Sequence, residues 1–392
     1  MIRSFRYPLK PTRAQEVVLT EWLARCCDLY NAGMEQRRQA WGRQRVSIQK
    51  FDQFNELPEL RKSDPEWAAI PAWVMRSPLE RLDNAFRAFF RRCKAGETPG
   101  YPRFKPRYSY DSFSFPYKTG VRPIRVENGE IYLPKLGPVK FHAYRELQGD
   151  PLVVSVTRTA RGWSLAFVCK LGEAPAKVAV KSVVGIDVGL EAFATLSNGE
   201  RVENPKFFAQ SEALIARHQR SISRKRRGSR SRHQAKRQVA RAYERISNRR
   251  FDFARKLACD LYSRFDLIAH EDLEIQKMAR GVFAKPIKDV SWGLFIRCLQ
   301  SKAEKAGKHC IGVDPRGTSQ TCSACGRVEK KGLSEREHRC VCGLTVHRDL
   351  NAAVNVLARG LRAELLTEAT AEPGRSRVLD LGAHPTRVSG HL

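Results

Sequence analysis

Four cysteines stand in two close pairs, Cys322-x-x-Cys325 and Cys340-x-Cys342, with fourteen residues between the pairs and Gly326 and Gly343 directly after them. Two thiolate pairs on tight turns can surround one Zn²⁺ tetrahedrally. Four protein ligands also close the site to substrate, so the spacing predicts a structural zinc ribbon. The second pair is one residue tighter than the commoner CxxC knuckle, which leaves His338 and His347 open as substitute ligands. The remaining cysteines fall in apolar stripes or alone and read as small buried hydrophobes of a reducing compartment.

A second set of chemistry-bearing residues is acidic. Asp187 lies inside the apolar run VVGIDVG, Glu271 ends the run LIAHE, and Asp349 opens the helical pattern RDLNAAVNVLARG. Each has an ordinary reading by itself, as a hydrogen-bonded strand residue or a helix cap. Together, three acids at the ends of buried elements are the hard oxygen ligands needed by two Mg²⁺ about 4 Å apart in two-metal phosphodiester hydrolysis, with Mn²⁺ as a substitute. Asp272 and Glu274 compete for the role, but strand alternation turns Asp272 to the other face and Glu274 lies past the strand end. Asp266 reads as a turn residue, and Asn351 and Asn355 as packing or capping partners on the Asp349 helix.

The charge balance says what such a site would act on. Lys and Arg number 71 against 41 Asp and Glu, a net +30, while hydrophobic content is an ordinary 42%. This is a folded protein whose surface meets a polyanion; nucleic acid is favoured over an anionic membrane face. Between Arg220 and Lys256 there are fifteen Lys or Arg and two acids, Glu244 and Asp252. A charge run is ordinarily a solvated helix face. Cations this dense repel one another unless phosphates neutralise them, which makes Arg224, Lys225, Arg226, Arg227, Arg230, Arg232, Lys236 and Arg237 candidate phosphate contacts. From Tyr101 to Lys118, seven aromatic residues interleave with four basic ones. Arg103, Lys105 and Arg107 are further candidates here, and the rings either stack on bases or fill a β core. With no run of 18 apolar residues and no signal-peptide pattern at the start, a soluble, unsecreted protein is expected.

The elements that must position these residues follow from pattern and punctuation. Thr12 and Gln15 form a capping box before a helix with Leu19, Trp22, Leu23, Cys26, Tyr30 and Met34 on one face. A second helix is expected from Ser77 as cap, with Pro78 in its first turn and Glu80 completing the box. After Gly100 extended structure takes over. Asn128-Gly129 marks one hairpin and LVVSVTRT followed by RGWSLAFVCK a second, in a small barrel or curved sheet that the first strand could join. LGEAPAKVAVKS reads as a linker. Beyond it, strands alternate with helices, including one or two long helices over 208–262, as in an α/β domain.

At this point a family resemblance is visible. GIDVG at 185–189, the acid of AHEDL at 271, TSQTCSACG at 318–326 and RDLNAAVNVL at 348–357 together resemble the TnpB (OrfB) family of transposon-encoded proteins, relatives of the type V CRISPR effectors. The opening YPLKPTRAQEVVLTEWLARCCDLYN is similar to the start of those proteins, as is the stretch around Phe104 and Lys105; the resemblance spans roughly residues 5 to 360. It implies a multidomain α+β and α/β chain. Residues 1–10 and 101–180 would form a β-barrel wedge domain, 11–100 a helical recognition lobe, 181–318 with 346–361 a RuvC-like nuclease domain of RNase H fold, 319–345 the inserted zinc ribbon, and 362–392 a flexible tail. The implied activity is RNA-guided cleavage of double-stranded DNA beside a short motif. Asp187, Glu271 and Asp349 would be catalytic and bind Mg²⁺, and Cys322, Cys325, Cys340 and Cys342 would bind Zn²⁺. The implied partners are a guide RNA encoded near the transposon end and target DNA, in a prokaryotic cytoplasm and its nucleoid. His347 departs from the family, standing where an acid often precedes Arg-Asp. The competing functions are a guide-dependent DNA-binding repressor without cleavage, a DNA-binding transposase accessory protein, and a transposase whose own nucleophile, Tyr262 or Tyr30, attacks DNA.

Overall fold

The structure, a computed structural model, describes residues 1–117, 126–127, 129–278, 284–332 and 335–371. The chain divides into two compact units, Met1–Glu173 and Ala174–Leu392.

In the first unit, strand β1 (Ile2–Lys10) leads into helices α1 (Arg13–Gln44), α2 (Lys50–Ser63), α3 (Pro65–Ala68) and α4 (Ala72–Lys94). Strands β2 (Ser112–Pro116), β3 (Val126–Glu127), β4 (Glu130–Leu133), β5 (Gly137–Phe141), β6 (Asp150–Thr159) and β7 (Gly162–Lys170) follow. Thr12 caps α1 with Gln15 returning the bond. The second helix starts earlier than its local signals suggest: α4 begins at Ala72 after Pro71, so Ser77 and Pro78 lie inside it. Proline at 78 removes the N–H that would serve the Val74 carbonyl, and the Cys26 thiol reaches that carbonyl at 3.7 Å instead.

All seven strands join one antiparallel sheet, β2-β6-β7-β1-β5-β4-β3, an open order in which β1 is central. Both expected hairpins are present, β3 with β4 and β6 with β7, although Asn128 itself lies outside the described residues. The expected boundary between a helical lobe and a β domain does not separate two cores. Leu19, Trp22 and Leu79 of the helices belong to the same buried cluster as Phe113, Val154 and Phe167 of the sheet.

The second unit opens with β8 (Val183–Val188), β9 (Ala192–Leu196) and β10 (Arg201–Glu203), followed by α5 (Phe207–Ser223) and α6 (Arg230–Arg264). Then come β11 (Leu267–Glu271), α7 (Ile275–Met278), α8 (Ala284–Val290), α9 (Trp292–Ala306), β12 (His309–Val313), β13 (Glu337–Arg339), β14 (Thr345–His347) and α10 (Arg348–Ala371). The unit begins within the expected linker, where the Val178 N–H donates to the Gly307 carbonyl at 2.8 Å. Its main sheet has the order β10-β9-β8-β11-β12; β8, β10, β11 and β12 run in one direction and β9 alone runs opposite. Helix α10 continues to Ala371, ten residues past the expected end at 361, and the rest of the expected tail lies outside the described residues.

Strand parity sorts the two faces of this sheet. Val184, Ile186 and Ile268 point to a core shared with Ala258 and Leu261 of α6 and Phe295 and Leu299 of α9, while Leu267 and Ala269 pack with Val356 of α10. Helix α10 comes very close to its face. A methyl at Gly185 would come to 2.7 Å of the Leu357 backbone nitrogen and press on the Ala353 carbonyl, so only glycine fits. Gly185→Ala is expected to destabilise the unit by about 2–4 kcal/mol, because the obstacle is helix backbone and cannot rotate away. Urea denaturation followed by circular dichroism would measure it, and an unchanged midpoint would contradict the packing described here.

Candidate active site and metal centre

Asp187 and Glu271 reach one face because their strands are in register. Ala269 pairs with Gly185 and His270 with Ile186, so one position further on both strands the two acids stand side by side on the face that α10 covers. The first turn of α10 brings Asp349 to the same place: a Cβ on Gly189 would be 3.9 Å from Asp349 Oδ2. Burial pushes the Asp187 carboxyl well above its ordinary range, with the Glu271 and Asp349 charges adding to the rise and Arg348 opposing it. Burial also raises Glu271, against the Thr318 hydroxyl and the Arg359 charge. A buried carboxyl beside two other acids fits a cationic ligand, since a bound divalent ion offsets the repulsion between them.

Sequence reasoning missed several residues around this trio. Thr318 Oγ1 donates to Glu271 Oε1 at 2.5 Å. Arg348 donates to the carbonyl of Gly332 at 2.7 Å and to Ser319 Oγ at 3.2 Å. His347, considered above as a zinc ligand, lies instead beside Asp349: its Nδ1 accepts the Asp349 N–H at 3.2 Å and stands 3.8 Å from Oδ2. The motif TSQTC could have flagged Thr318, but nothing local says that its hydroxyl meets an acid 47 residues earlier. Asp272 is exposed, one residue past the end of β11. Asp266 is more than a turn residue: its Oδ2 accepts from Ser182 N, Ser182 Oγ and Lys181 N, and it pairs with Lys308 at 3.2 Å.

The four cysteines converge. Their sulfurs all lie within 4.8 Å of one another, with Cys322···Cys342 at 3.7 Å and Cys325···Cys340 at 3.6 Å. Tetrahedral Zn–S bonds of about 2.3 Å require sulfurs about 3.8 Å apart. Both of these pairs already stand near that spacing, so the set fits zinc. Positive φ at Gly326 and Gly343 makes the two turns, and β13 and β14 form the small sheet behind the second. Burial works to raise the Cys322 thiol, but the N–H groups of Cys325 and Ala324 and the His338 ring outweigh it and bring it down to about 6. His338 is therefore a buried neighbour of Cys322, outside the four-sulfur set. Among the described residues the three carboxylates do not form a comparably tight set.

The basic candidates divide. Arg232 is structural: its Nη1 donates to the carbonyls of Ile222 at 2.6 Å and Lys225 at 2.8 Å, closing the end of α5. Arg107 forms a fork with Asp28 at 3.1 and 2.7 Å, and Lys105 lies over the Tyr30 ring at 4.8 Å, so both help hold the first unit together. Arg103, Arg224, Arg226, Arg227, Arg230, Lys236 and Arg237 are exposed, and Lys225 is half-buried. Of the aromatic segment, Tyr110 and Phe113 are core, while Tyr101, Phe104 and Tyr108 are exposed. Tyr262 and Tyr30 are both buried, and the Tyr262 hydroxyl donates to the His309 carbonyl at 3.2 Å, which removes them as DNA-attacking nucleophiles. Among the described residues, no helix is long and apolar enough to cross a membrane.

Comparison with known proteins now adds its own weight. Over 382 residues, covering 92% of this chain and 90% of the other, the sequence is 33% identical to the "Putative RNA-guided DNA endonuclease" of Streptomyces pristinaespiralis. The chain belongs to the TnpB family. A second TnpB-family relative, the "Putative RNA-guided DNA endonuclease InsQ" of Escherichia coli (strain K12), is 29% identical over 386 residues, 92% of each chain. The family model described as "Probable transposase" (OrfB_IS605) matches residues 166–281, and "Cas12f1-like, TNB domain" matches 292–356. The fold of this TnpB-family chain is similar to one in the cryo-EM structure of the Cas12f1-sgRNA-target DNA complex, with a TM-score of 0.56 at 14% identity, covering 88% of this chain and 83% of that one.

Arg232→Ala is expected to cost about 1–2 kcal/mol of stability through its lost bonds to the α5 end. Arg227→Ala should leave stability within about 0.5 kcal/mol while weakening RNA binding and lowering its salt slope by about one. Paired urea melts and filter binding over a salt series would distinguish a structural from a phosphate-binding arginine.

Proposed function

We propose that this protein is an RNA-guided DNA endonuclease of an insertion sequence, cutting double-stranded DNA beside a short target-adjacent motif by metal-assisted phosphodiester hydrolysis. The observation that carries the reading is the convergence of three acids on one face of the sheet, Asp187 and Glu271 side by side on paired strands and Asp349 beside them on α10, with burial first and the other two charges second raising the Asp187 carboxyl. The sheet order β10-β9-β8-β11-β12, with β9 alone reversed among four strands of one direction, supports a RuvC-like nuclease of RNase H type for the second unit. The names of the relatives support an RNA guide and a DNA target.

Asp187, Glu271 and Asp349 would hold two Mg²⁺, and the four cysteines one structural Zn²⁺. The chemistry supplied by such a Mg²⁺ pair is activation of the attacking water and neutralisation of charge on the leaving 3′ oxygen. The protein's own contribution is to fix the ligands. Parallel strands set Asp187 and Glu271 in register, the Gly185 contact sets the height of Asp349, and Arg348 and Arg359 temper the local negative charge. Exposed cations on α6 and on the turn before it would face phosphates, with sequence choice left to base pairing between guide and target. A repressor reading has no comparable support, because it leaves the costly trio of acids without a task.

Asp187→Asn is expected to abolish cleavage of target DNA while guide-dependent binding persists; binding without cleavage in the wild type would overturn the endonuclease reading. The raised Asp187 pKa also has a signed effect on stability. From the ordinary carboxylate range up to its raised value, the folded metal-free protein holds a proton that the unfolded chain has released, so stability falls as pH rises through that window. At neutral pH without divalent ions, Asp187→Asn should therefore raise Tm by about 2–4 °C, and Mg²⁺ should raise the Tm of the wild type alone. Differential scanning calorimetry with EDTA and with Mg²⁺ would check both.

A further inference from the structure

The loop between β12 and the first cysteine pair ties the two metal centres together. Helix α10 turns one polar stripe to it, with Arg348, Asn351, Asn355 and Arg359 spaced three, four and four residues apart. Arg359 Nη1 donates to the carbonyls of Asp314 at 2.7 Å and Arg316 at 2.9 Å. Asn355 Nδ2 donates to those of Thr318 at 2.8 Å and Thr321 at 2.6 Å. Asn351 bonds the Thr321 carbonyl at 2.7 Å and accepts the Ser323 N–H at 2.9 Å. Within the loop, the Thr321 N–H closes on the Gly317 carbonyl at 2.8 Å, and the next residue is the buried zinc-site Cys322. The hydroxyl that meets Glu271 and the sulfur that faces zinc thus belong to one hydrogen-bonded turn.

Thr318 has a single hydroxyl proton and two acceptors near it, Glu271 Oε1 at 2.5 Å and the Pro315 carbonyl at 2.9 Å. The Pro315 carbonyl already receives the Thr318 N–H at 3.4 Å, and an ionised carboxylate is the stronger acceptor, so the proton goes to Glu271. A carboxylate held at Oε1 cannot rotate about its last torsion without losing that bond. Resting on the reading of the acids as Mg²⁺ ligands, we propose that Thr318 is the positioning residue for Glu271, and that the zinc ribbon, by holding the Thr318 turn, sets the affinity of the acid pocket for divalent cations.

The test is Mn²⁺ binding to the zinc-loaded full chain without RNA, read from the free-Mn²⁺ electron paramagnetic resonance signal and limited to the sites that Asp187→Asn removes. Thr318→Val should raise the Mn²⁺ midpoint by about 10- to 100-fold, the usual loss when a residue that orients a metal ligand is removed, and Thr318→Ser should restore it. Cys325→Ser, which opens the ribbon and leaves Thr318 in place, should shift the midpoint the same way and add little when combined with Thr318→Val. A wild-type midpoint in Thr318→Val overturns the positioning role, and a wild-type midpoint in zinc-depleted Cys325→Ser overturns the role of the ribbon. Should Thr318→Val fail to fold, Asn355→Ala frees the turn and keeps the hydroxyl; it is expected to weaken Mn²⁺ binding several-fold, and no change would sink the proposal. Absence of any Mn²⁺ site sensitive to Asp187→Asn in the wild type would instead overturn the Mg²⁺ reading of the acids.

Discussion

Three carboxylates occupy one pocket against the opposition of their own charges, and much of the second unit is arranged to keep them there. Burial and mutual repulsion raise Asp187 well above the carboxylate range. A pocket of this kind collapses or opens unless its walls are stiff. The stiffness comes from elements that cannot slide: parallel strands in register, a helix lying on Gly185 with no room for a side chain, and a hydroxyl pinning Glu271. Gathering like charges in this way costs stability locally.

The same tension appears at larger scale in a protein of net charge +30 that gathers three acids at one place. Its cations serve two ends. Some are taken up by the fold, as with Arg232 on the α5 end, Arg107 on Asp28 and Arg250 on Asp289 at 2.7 Å. Others, such as Arg226, Arg227 and Arg237, stand in solvent along α6 and the turn before it, where like charges repel until a polyanion arrives. Counting basic residues could not divide the two groups, because a guanidinium that caps a helix and one that waits for phosphate are identical in sequence.

Local physics made a good part of the fold legible. The capping box at Thr12, the two hairpins of the first unit, the apolar runs delivering Asp187 and Glu271, and the paired cysteines all follow from contacts within a few residues. Failures occurred where distant contacts overruled a valid local signal. Ser77-Pro78 has the local signals of a helix start, yet the cap of α4 is Pro71, six residues earlier, where the added turn buries Val74 and Met75 in the shared core and a thiol from α1 meets the carbonyl that proline leaves unpaired. The helices and sheet of the first unit read as two domains because their patterns differ, and they form one unit because their apolar faces bury each other.

By itself, the sequence determined which groups were available: hard oxygen ligands at the ends of apolar runs, soft sulfur ligands in two close pairs, and an excess of cations for a polyanionic partner. Residue type and short spacing suffice for that, since ligand hardness and turn geometry are local properties. Only the tertiary structure decided that Asp349 joins Asp187 and Glu271, that His347 belongs with the acids and away from the zinc site, and that Thr318 stands between the two centres. Those placements depend on strand register and on the height of α10 above the sheet, which arise from packing between segments far apart in the chain.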